Sequence, residues 1–168
     1  HGCDWSQTCA LPILPSADIG NAKYVMFLGR NYAEGIRPSS LGSLAAVKSK
    51  NAKIVMVDPR HNNTMPMASE WVPIRPGTDL AMLLAIGHVL IKENLYDADF
   101  VANHSVGFEE FKVAVENNTP VWAEEITGIS AATIERLARE LSAARPQALL
   151  EPSWKGAYGC SYQNSSQT

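Results

Sequence analysis

Cysteine is scarce in this chain: Cys3, Cys9 and Cys160 are all there is among 168 residues, an odd number with no CxxC pair. That excludes a disulfide framework as the source of the fold and excludes a structural zinc site, which takes four ligands at short spacings. The thiols leave the compartment unassigned. Cationic residues are not in excess either. Fourteen Lys and Arg against seventeen Asp and Glu give a formal net charge of -3, whereas a nucleic-acid footprint shows as clustered Lys and Arg; no nucleic-acid partner is expected. No apolar run reaches the roughly 18 residues that a membrane-spanning helix needs. Neither GxGxxG nor GxxxxGK[ST] occurs, which counts against an ordinary NAD site and against a P-loop ATPase. There is no Met and no basic-then-apolar leader at His1, and Thr168 closes an unfinished polar stretch, so the sequence is expected to be a piece of something longer, truncated at both ends.

What is present suffices for one well-packed domain, with 46% hydrophobic and 18% charged residues. The stretch around which the rest is arranged runs from Ala52 to Asp79. Ile54-Val55-Met56-Val57 is a continuous apolar run, as in a strand buried on both faces of a parallel sheet. It ends in Asp58-Pro59-Arg60, where Pro59 cannot donate to a ladder and holds Asp58 extended. A carboxylate and a guanidinium thus stand at the carboxyl end of a strand, the place where open α/β sheets bind ligands. A short apolar piece, Trp71 to Ile74, leads into Arg75-Pro76-Gly77-Thr78-Asp79. Pro-Gly fixes a turn there, Thr78 is placed to cap a helix, and Asp79 falls beside its exposed backbone donors.

The remaining segments supply the frame. Residues 1–20 lack a sustained period and read as an irregular lead-in; 21–168 read as the domain proper. Lys23 to Leu28 predicts a strand ending in Gly29-Arg30-Asn31, a way of bringing backbone close to a phosphate or ring. Pro38 to Lys50 predicts a helix, with Leu41, Leu44, Ala45 and Lys48 on neighbouring turns, which completes a right-handed parallel βαβ unit. Leu80, Leu83, Leu84, Gly87, Leu90 and Ile91 recur at helical steps. Short helices are predicted after Asp97, over Gly107 to Val115 with Phe108, Phe111 and Val115 inward, and from Thr119-Pro120. A longer one starts at Ser130 or Thr133, with Ile134, Leu137, Ala138 and Leu141 inward, and stops before Pro146. Ala148-Leu149-Leu150 predicts a third buried strand, delivering Glu151 to Gly159. Three parallel strands would thus end in three polar loops, Gly29 to Gly35, Asp58 to Asn63 and Glu151 to Gly159, on one rim joined by the Arg75 to Asp79 turn. The fold class is α/β, with a site for a nucleotide-like ligand across one sheet edge.

Single residues keep two readings. Asp58 either accepts hydrogen bonds from a ribose or purine edge or ends a strand in an Asp-Pro turn. Asp79 either reads the N–H donors of a guanine or sits at a helix start where its charge is stabilised by about 0.3–1 kcal/mol. His88, inside a helix, reads as structural, and Cys3 and Cys9 as small buried residues. Trp154, Tyr158 and Tyr162 line either a ligand cleft or the core.

In combination these pieces resemble a known family. KYVMFLGRN, AKIVMVDPR, WVPIRPGTDLAMLLAIGHVLIKENLYDADFV, GFEEF and TPVWAEEITGISAATIERLARELS, in that order from Lys23 onward, are similar to the catalytic subunits of molybdopterin oxidoreductases of the dimethyl-sulfoxide-reductase and formate-dehydrogenase type. The resemblance implies a Rossmann-like domain, a parallel sheet flanked by helices, within a larger multidomain subunit. It implies a cofactor of molybdenum, or tungsten, held between two pyranopterin guanosine dinucleotides, one of them cradled here. Carried over residue by residue, Gly29, Arg30 and Asn31 would approach the pterin or phosphates, Asp58 and Arg60 the guanosine end, and Gly77 and Asp79 the guanine. Trp154 to Gly159, Gly156 included, would form a further wall. Cys3, or else Cys9, would be the axial metal ligand.

RNYAEG and WKGAYGCSYQNSSQT look most like the thiosulfate, polysulfide and arsenate reductase branch. That likeness implies reduction of an oxyanion or sulfur compound, an iron–sulfur electron-transfer subunit, a membrane-anchor subunit, and a periplasmic or membrane-associated location. The family's Cys-rich amino-terminal domain with its iron–sulfur cluster and its carboxy-terminal cap have no counterpart in these residues, so the chain alone is expected to be inactive. The alternative is a stand-alone, non-catalytic guanosine-dinucleotide-binding module or cofactor-handling protein.

Overall fold

Alternation of short apolar runs with helical stretches builds a three-layer α/β domain. The computed structural model describes residues 18–34 and 40–152. A 3-10 turn over Ile19–Asn21 leads into β1, Tyr24–Leu28, whose five side chains are all buried. Helix α1 covers Ser40–Ser49; β2 covers Lys53–Val57; a 3-10 turn at Met65–Met67 precedes β3, Glu70–Val72. Then come α2, Asp79–Lys92, α3, Ala98–His104, α4, Phe108–Ala114, α5, Pro120–Thr127, α6, Ala131–Ala143, and β4, Ala148–Pro152. The sheet order is β3-β2-β1-β4, and each pairing is parallel. That order reverses between β1 and β4, the switch point at which doubly wound sheets open a crevice.

Caps decide where several helices start. The Asp97 carboxylate accepts from the backbone N–H of Phe100 at 2.9 Å, Thr119 accepts from Trp122 with Pro120 at the first helical position, and Ser130 accepts from Thr133 at 3.3 Å. Of the two predicted starts for α6, Ser130 is therefore the cap.

The sheet is buried on both sides because β1 is apolar at every position and β2 at every position after Lys53. Val25, Phe27, Ile54 and Met56 face Leu44 and Val47 of α1, and Met26, Leu28, Val55 and Val57 face α2 and α6 through Met82, Ala85, Ile134 and Leu137.

Four expectations change. The Trp71 segment is a fourth strand, paired with β2 as Val55↔Glu70 to Val57↔Val72. The strand at Ala148 is half-buried rather than buried and runs on to Pro152, because it has one neighbour, β1, among the described strands. On α1 the inward residues are Leu44 and Val47, while Ala45 is exposed and Lys48 donates outward to the Pro66 carbonyl at 2.7 Å. On α2 the buried face is Met82, Ala85, Ile86 and Val89, and the leucine stripe is half-buried. That helix is apolar on nearly all sides, so its hydrophobic positions do not single out one face. The predicted start of α1 at Pro38 lies outside the described residues.

At the amino-terminal edge of the sheet, opposite the candidate rim, charges stitch α6 to the strands. Lys53 donates to both Glu140 carboxylate oxygens at 2.7 Å and lies 3.2 Å from Glu70. Arg136 donates to Glu140 at 2.9 Å and pairs with Glu70. Burial opposes ionisation of Glu140, but its hydrogen bonds from Lys53 and Arg136 prevail and hold its pKa below the ordinary 4.5. A carboxylate lowered on folding contributes fully above its unfolded pKa and loses that contribution as pH falls through the folded value. Glu140→Ala is expected to cost about 1 kcal/mol at neutral pH, since these groups are about one-third exposed and screened. The cost should shrink as pH drops below about 4.5, which thermal melts of the two proteins across pH 3–7 would show.

Candidate nucleotide site on the sheet rim

The carboxyl ends of β1, β2 and β4 lie side by side, so the loops after them share one rim. Gly29 leaves β1 with φ 58°, and a Cβ there would meet nothing within 4 Å. Its N–H donates to the Val57 carbonyl at 2.8 Å, tying the two strand ends together. Arg30 bridges the switch point: its guanidinium lies 3.3 Å from Glu151, donates to the Pro152 carbonyl at 3.3 Å, and stacks 5.1 Å over the Tyr32 ring.

After β2, Asp58 is half-buried. One carboxylate oxygen accepts from the Arg60 N–H at 2.8 Å and the other from Asn62 at 3.0 Å, while its carbonyl accepts from the Trp71 indole at 2.9 Å. The turn geometry is thus real, and each oxygen retains further acceptor capacity. The Arg60 side chain is exposed.

The turn before α2 is anchored by a residue whose part the sequence did not disclose. Arg75 donates to the Glu125 and Ile126 carbonyls at 2.6 and 3.2 Å, and its own N–H donates to Thr127 at 3.0 Å. A cation thereby satisfies carbonyls at the end of α5. Gly77 follows with φ 80°, a left-handed conformation that favours glycine. Thr78 does not cap α2 through its side chain; its hydroxyl donates back to the Arg75 carbonyl at 2.7 Å.

Asp79 opens α2 as a buried carboxylate, 8% exposed. Burial raises its pKa above the ordinary 3.8, partly offset by its own backbone N–H, and the charge of Asp58 raises it further. It makes no ion pair among the described residues. Two carboxylates converging on one rim, one of them buried and without a cation, form a polar seat with acceptor capacity to spare.

Of the residues predicted for the site, Gly29, Arg30 and Asn31 lie on the loop after β1, Asp58 and Arg60 on the loop after β2, and Gly77 and Asp79 on the turn before α2. Trp154, Gly156 and Cys3, together with Cys9, Tyr158 and Tyr162, lie outside the described residues. No group of three or more His, Cys, Asp or Glu residues able to hold a metal occurs among the described residues. A separate groove of about 450 Å³ lies between α2 and α4, lined by His88, Lys92, Glu109, Lys112, Val113 and Glu116 among others. His88 is buried, with Nδ1 3.0 Å from the Val115 carbonyl, as its structural reading predicts.

The fold defines the class, an α/β domain with a parallel sheet flanked by helices. The sequence defines the family: a molybdopterin oxidoreductase model matches residues 6–150, and the chain belongs to that family. It is 42% identical over 141 residues to the molybdopterin-containing subunit of thiosulfate reductase from Salmonella typhimurium, covering 84% of this chain and 19% of that one. Identity to formate dehydrogenase H of Escherichia coli is 39%, over 79% of this chain and 18% of the relative. The fold superposes on acetylene hydratase from Pelobacter acetylenicus with a TM-score of 0.74 at 33% identity, covering 82% and 19% of the two chains. The chain spans about a fifth of the length of these relatives.

The family implies a molybdenum–pterin cofactor. The described residues fit the polar, nucleotide-like end of such a group: an open glycine at the β1 end, an open glycine before α2, and a buried carboxylate with free acceptor capacity.

Proposed function

We propose that this chain is the domain of a molybdenum or tungsten oxidoreductase catalytic subunit that holds one of two pyranopterin guanosine dinucleotides. The observation that carries this is Asp79, a buried carboxylate at the start of α2 with no ion-pair partner among the described residues, facing the Asp58 loop. Guanine offers N1–H and the exocyclic amine as adjacent donors, which one carboxylate accepts together. Gly77 lets the backbone approach, Asp58 takes ribose hydroxyls, and Arg60 stands by the guanosine end. Gly29, Arg30 and Asn31 lie towards the phosphates and pterin, with Trp154 and Gly156 completing the wall. When bound, the cofactor supplies metal-centred redox chemistry; these residues bind and orient it.

In the whole subunit the substrate is an oxyanion or sulfur compound such as thiosulfate, polysulfide or arsenate, which the 42% identity to a thiosulfate reductase subunit supports. Residues 1–20 lead in beside the metal, with Cys3 as axial ligand, and 21–168 form the cofactor-binding domain. An iron–sulfur cluster upstream and an electron-transfer subunit would deliver electrons, with a membrane-anchor subunit and a periplasmic or membrane-associated setting.

Titration of this chain, and of the product of its complete reading frame, with GDP and ADP tests the reading by thermal melting. A ligand bound to the native state alone stabilises it by RT ln(1 + [L]/Kd), about 2.7 kcal/mol at a hundredfold excess over Kd. A GDP-selective rise is expected. No rise for either protein at millimolar GDP, with no guanine nucleotide released from the longer one by acid, would overturn it.

A further inference from the structure

We propose that Thr64 and Asn62 are positioning residues that fix the spacing between the two rim loops without touching the ligand themselves; this rests on the guanosine-dinucleotide reading of the rim. Both are polar and buried, Thr64 at 0% and Asn62 at 5% exposure. Neither sits in a strand or α-helix, so the buried polarity serves no sheet ladder.

Their hydrogen bonds form a continuous line between two proposed ligand contacts. The Thr64 hydroxyl accepts from the Ala33 N–H at 3.0 Å and donates to the Asn31 side-chain oxygen at 3.0 Å. The Thr64 N–H donates to the Asn62 side-chain oxygen at 2.9 Å. The Asn62 amide then donates to Asp58 at 3.0 Å. Asn31 on the loop after β1 and Asp58 on the loop after β2 are thus joined through two buried side chains. A second strap runs outside it, where Glu34 accepts from both Asn31 and Asn63, but that strap is exposed and correspondingly weak.

The chemistry requires a residue like Thr64 at this place. Its single hydroxyl must accept from one loop's backbone and donate to the same loop's carboxamide, while its own N–H is spent on Asn62. Valine has the same shape and can do neither, leaving the Ala33 N–H and the Asn31 oxygen unpaired. Asn62 in turn orients the Asp58 carboxylate by holding one oxygen while the Arg60 N–H holds the other. A carboxylate pinned at both oxygens presents its remaining lone pairs in fixed directions, and groups that hold a ligand-binding side chain govern affinity from behind it.

The test uses the product of the complete reading frame, with GDP affinity and acid-releasable guanine nucleotide per polypeptide as readouts beside the melting midpoint. Thr64→Val is expected to weaken GDP about tenfold, the lower end of what loss of such a supporting partner costs. Thr64→Ser, which keeps the hydroxyl, should bind within about twofold of the parent. In a double-mutant cycle, Thr64→Val should add little once Asn31 is alanine, since the two then act through one contact. If Thr64→Val does not fold, Asn62→Ser carries the same expectation through Asp58. GDP bound by Thr64→Val as tightly as by the parent, with only the melting midpoint lowered, would show a merely structural role and overturn the proposal. A parent protein that binds no guanine nucleotide, and is indifferent to Asp79→Asn, would overturn the underlying site reading and this proposal with it.

Discussion

Asp79→Asn is expected to make the ligand-free domain more stable while all but abolishing its affinity for guanosine nucleotides. The stability half follows from burial. A carboxylate whose pKa is raised on folding destabilises the ionised native state. By linkage the native state binds more protons than the unfolded one between the ordinary value of 3.8 and the raised value, so stability falls as pH rises through that window and stays low above it. Asparagine removes the charge and the repulsion from Asp58. The melting midpoint at neutral pH should rise by a few degrees, at about 2–4 °C per kcal/mol for a chain of this size.

The binding half has the opposite sign. A carboxylate accepting two guanine donors loses at least about 3 kcal/mol when one oxygen becomes an amide donor, roughly a hundredfold in affinity. Xanthine carries a carbonyl where guanine carries its amine, so an amide at position 79 matches it with one acceptor and one donor. Xanthosine diphosphate should therefore bind the variant better than GDP does. For the unmodified protein, GDP affinity should rise with pH through the raised pKa, because the acceptor is the ionised form. Equal melting midpoints and equal GDP affinities for the two proteins at pH 7 would remove Asp79 from the site.

A stability penalty at the one buried carboxylate of the rim is where the sequence is most informative about function. Alternating apolar strands and helices gave the sheet, its parallel sense and the convergence of the loops, since continuous runs such as Ile54 to Val57 belong to strands covered on both faces. Caps at Asp97, Thr119 and Ser130 were legible because each is a local side-chain-to-backbone bond. Less legible was anything set by partners far along the chain. Arg30 meets Glu151 only because β4 lies beside β1, and Arg75 reaches the end of α5 some 50 residues on. Thr64 and Asn62 sit in a stretch, HNNTMPMAS, whose polarity suggests an exposed loop. Glu70 to Val72 is too short and too weakly apolar to announce a strand, and it becomes one by pairing with β2.

For the same reason the helical spacing on α2 did not single out its inward face, and that face carries the largest expected effect on stability. The sequence DLAMLLAIGHVLIK places apolar residues nearly all round the helix, so volume rather than hydrophobicity decides what meets the sheet. Ala85 and Met82 are fully buried, and the bulkier leucines are left half-buried, Leu83 and Leu90 packing at the margin of the core. Gly87 turns towards α4, where a Cβ would come within 3.3 Å of the Phe111 ring. Met82→Ala should then cost about 2–5 kcal/mol by opening a cavity in a packed core, whereas Leu84→Ala should cost roughly 1–2 kcal/mol because much of that side chain never left water. Urea melts of the two variants would settle the ranking, and the reverse order would restore the leucine stripe as the inward face. Met82 stands one turn from Asp79 on the side that faces the sheet. A cavity there loosens the seat of α2's first turn, so Met82→Ala should also weaken GDP binding, whereas Leu84→Ala should leave it unchanged. The packing that stabilises the domain is in this way the same packing that holds the Asp79 carboxylate, the proposed guanine contact, in place.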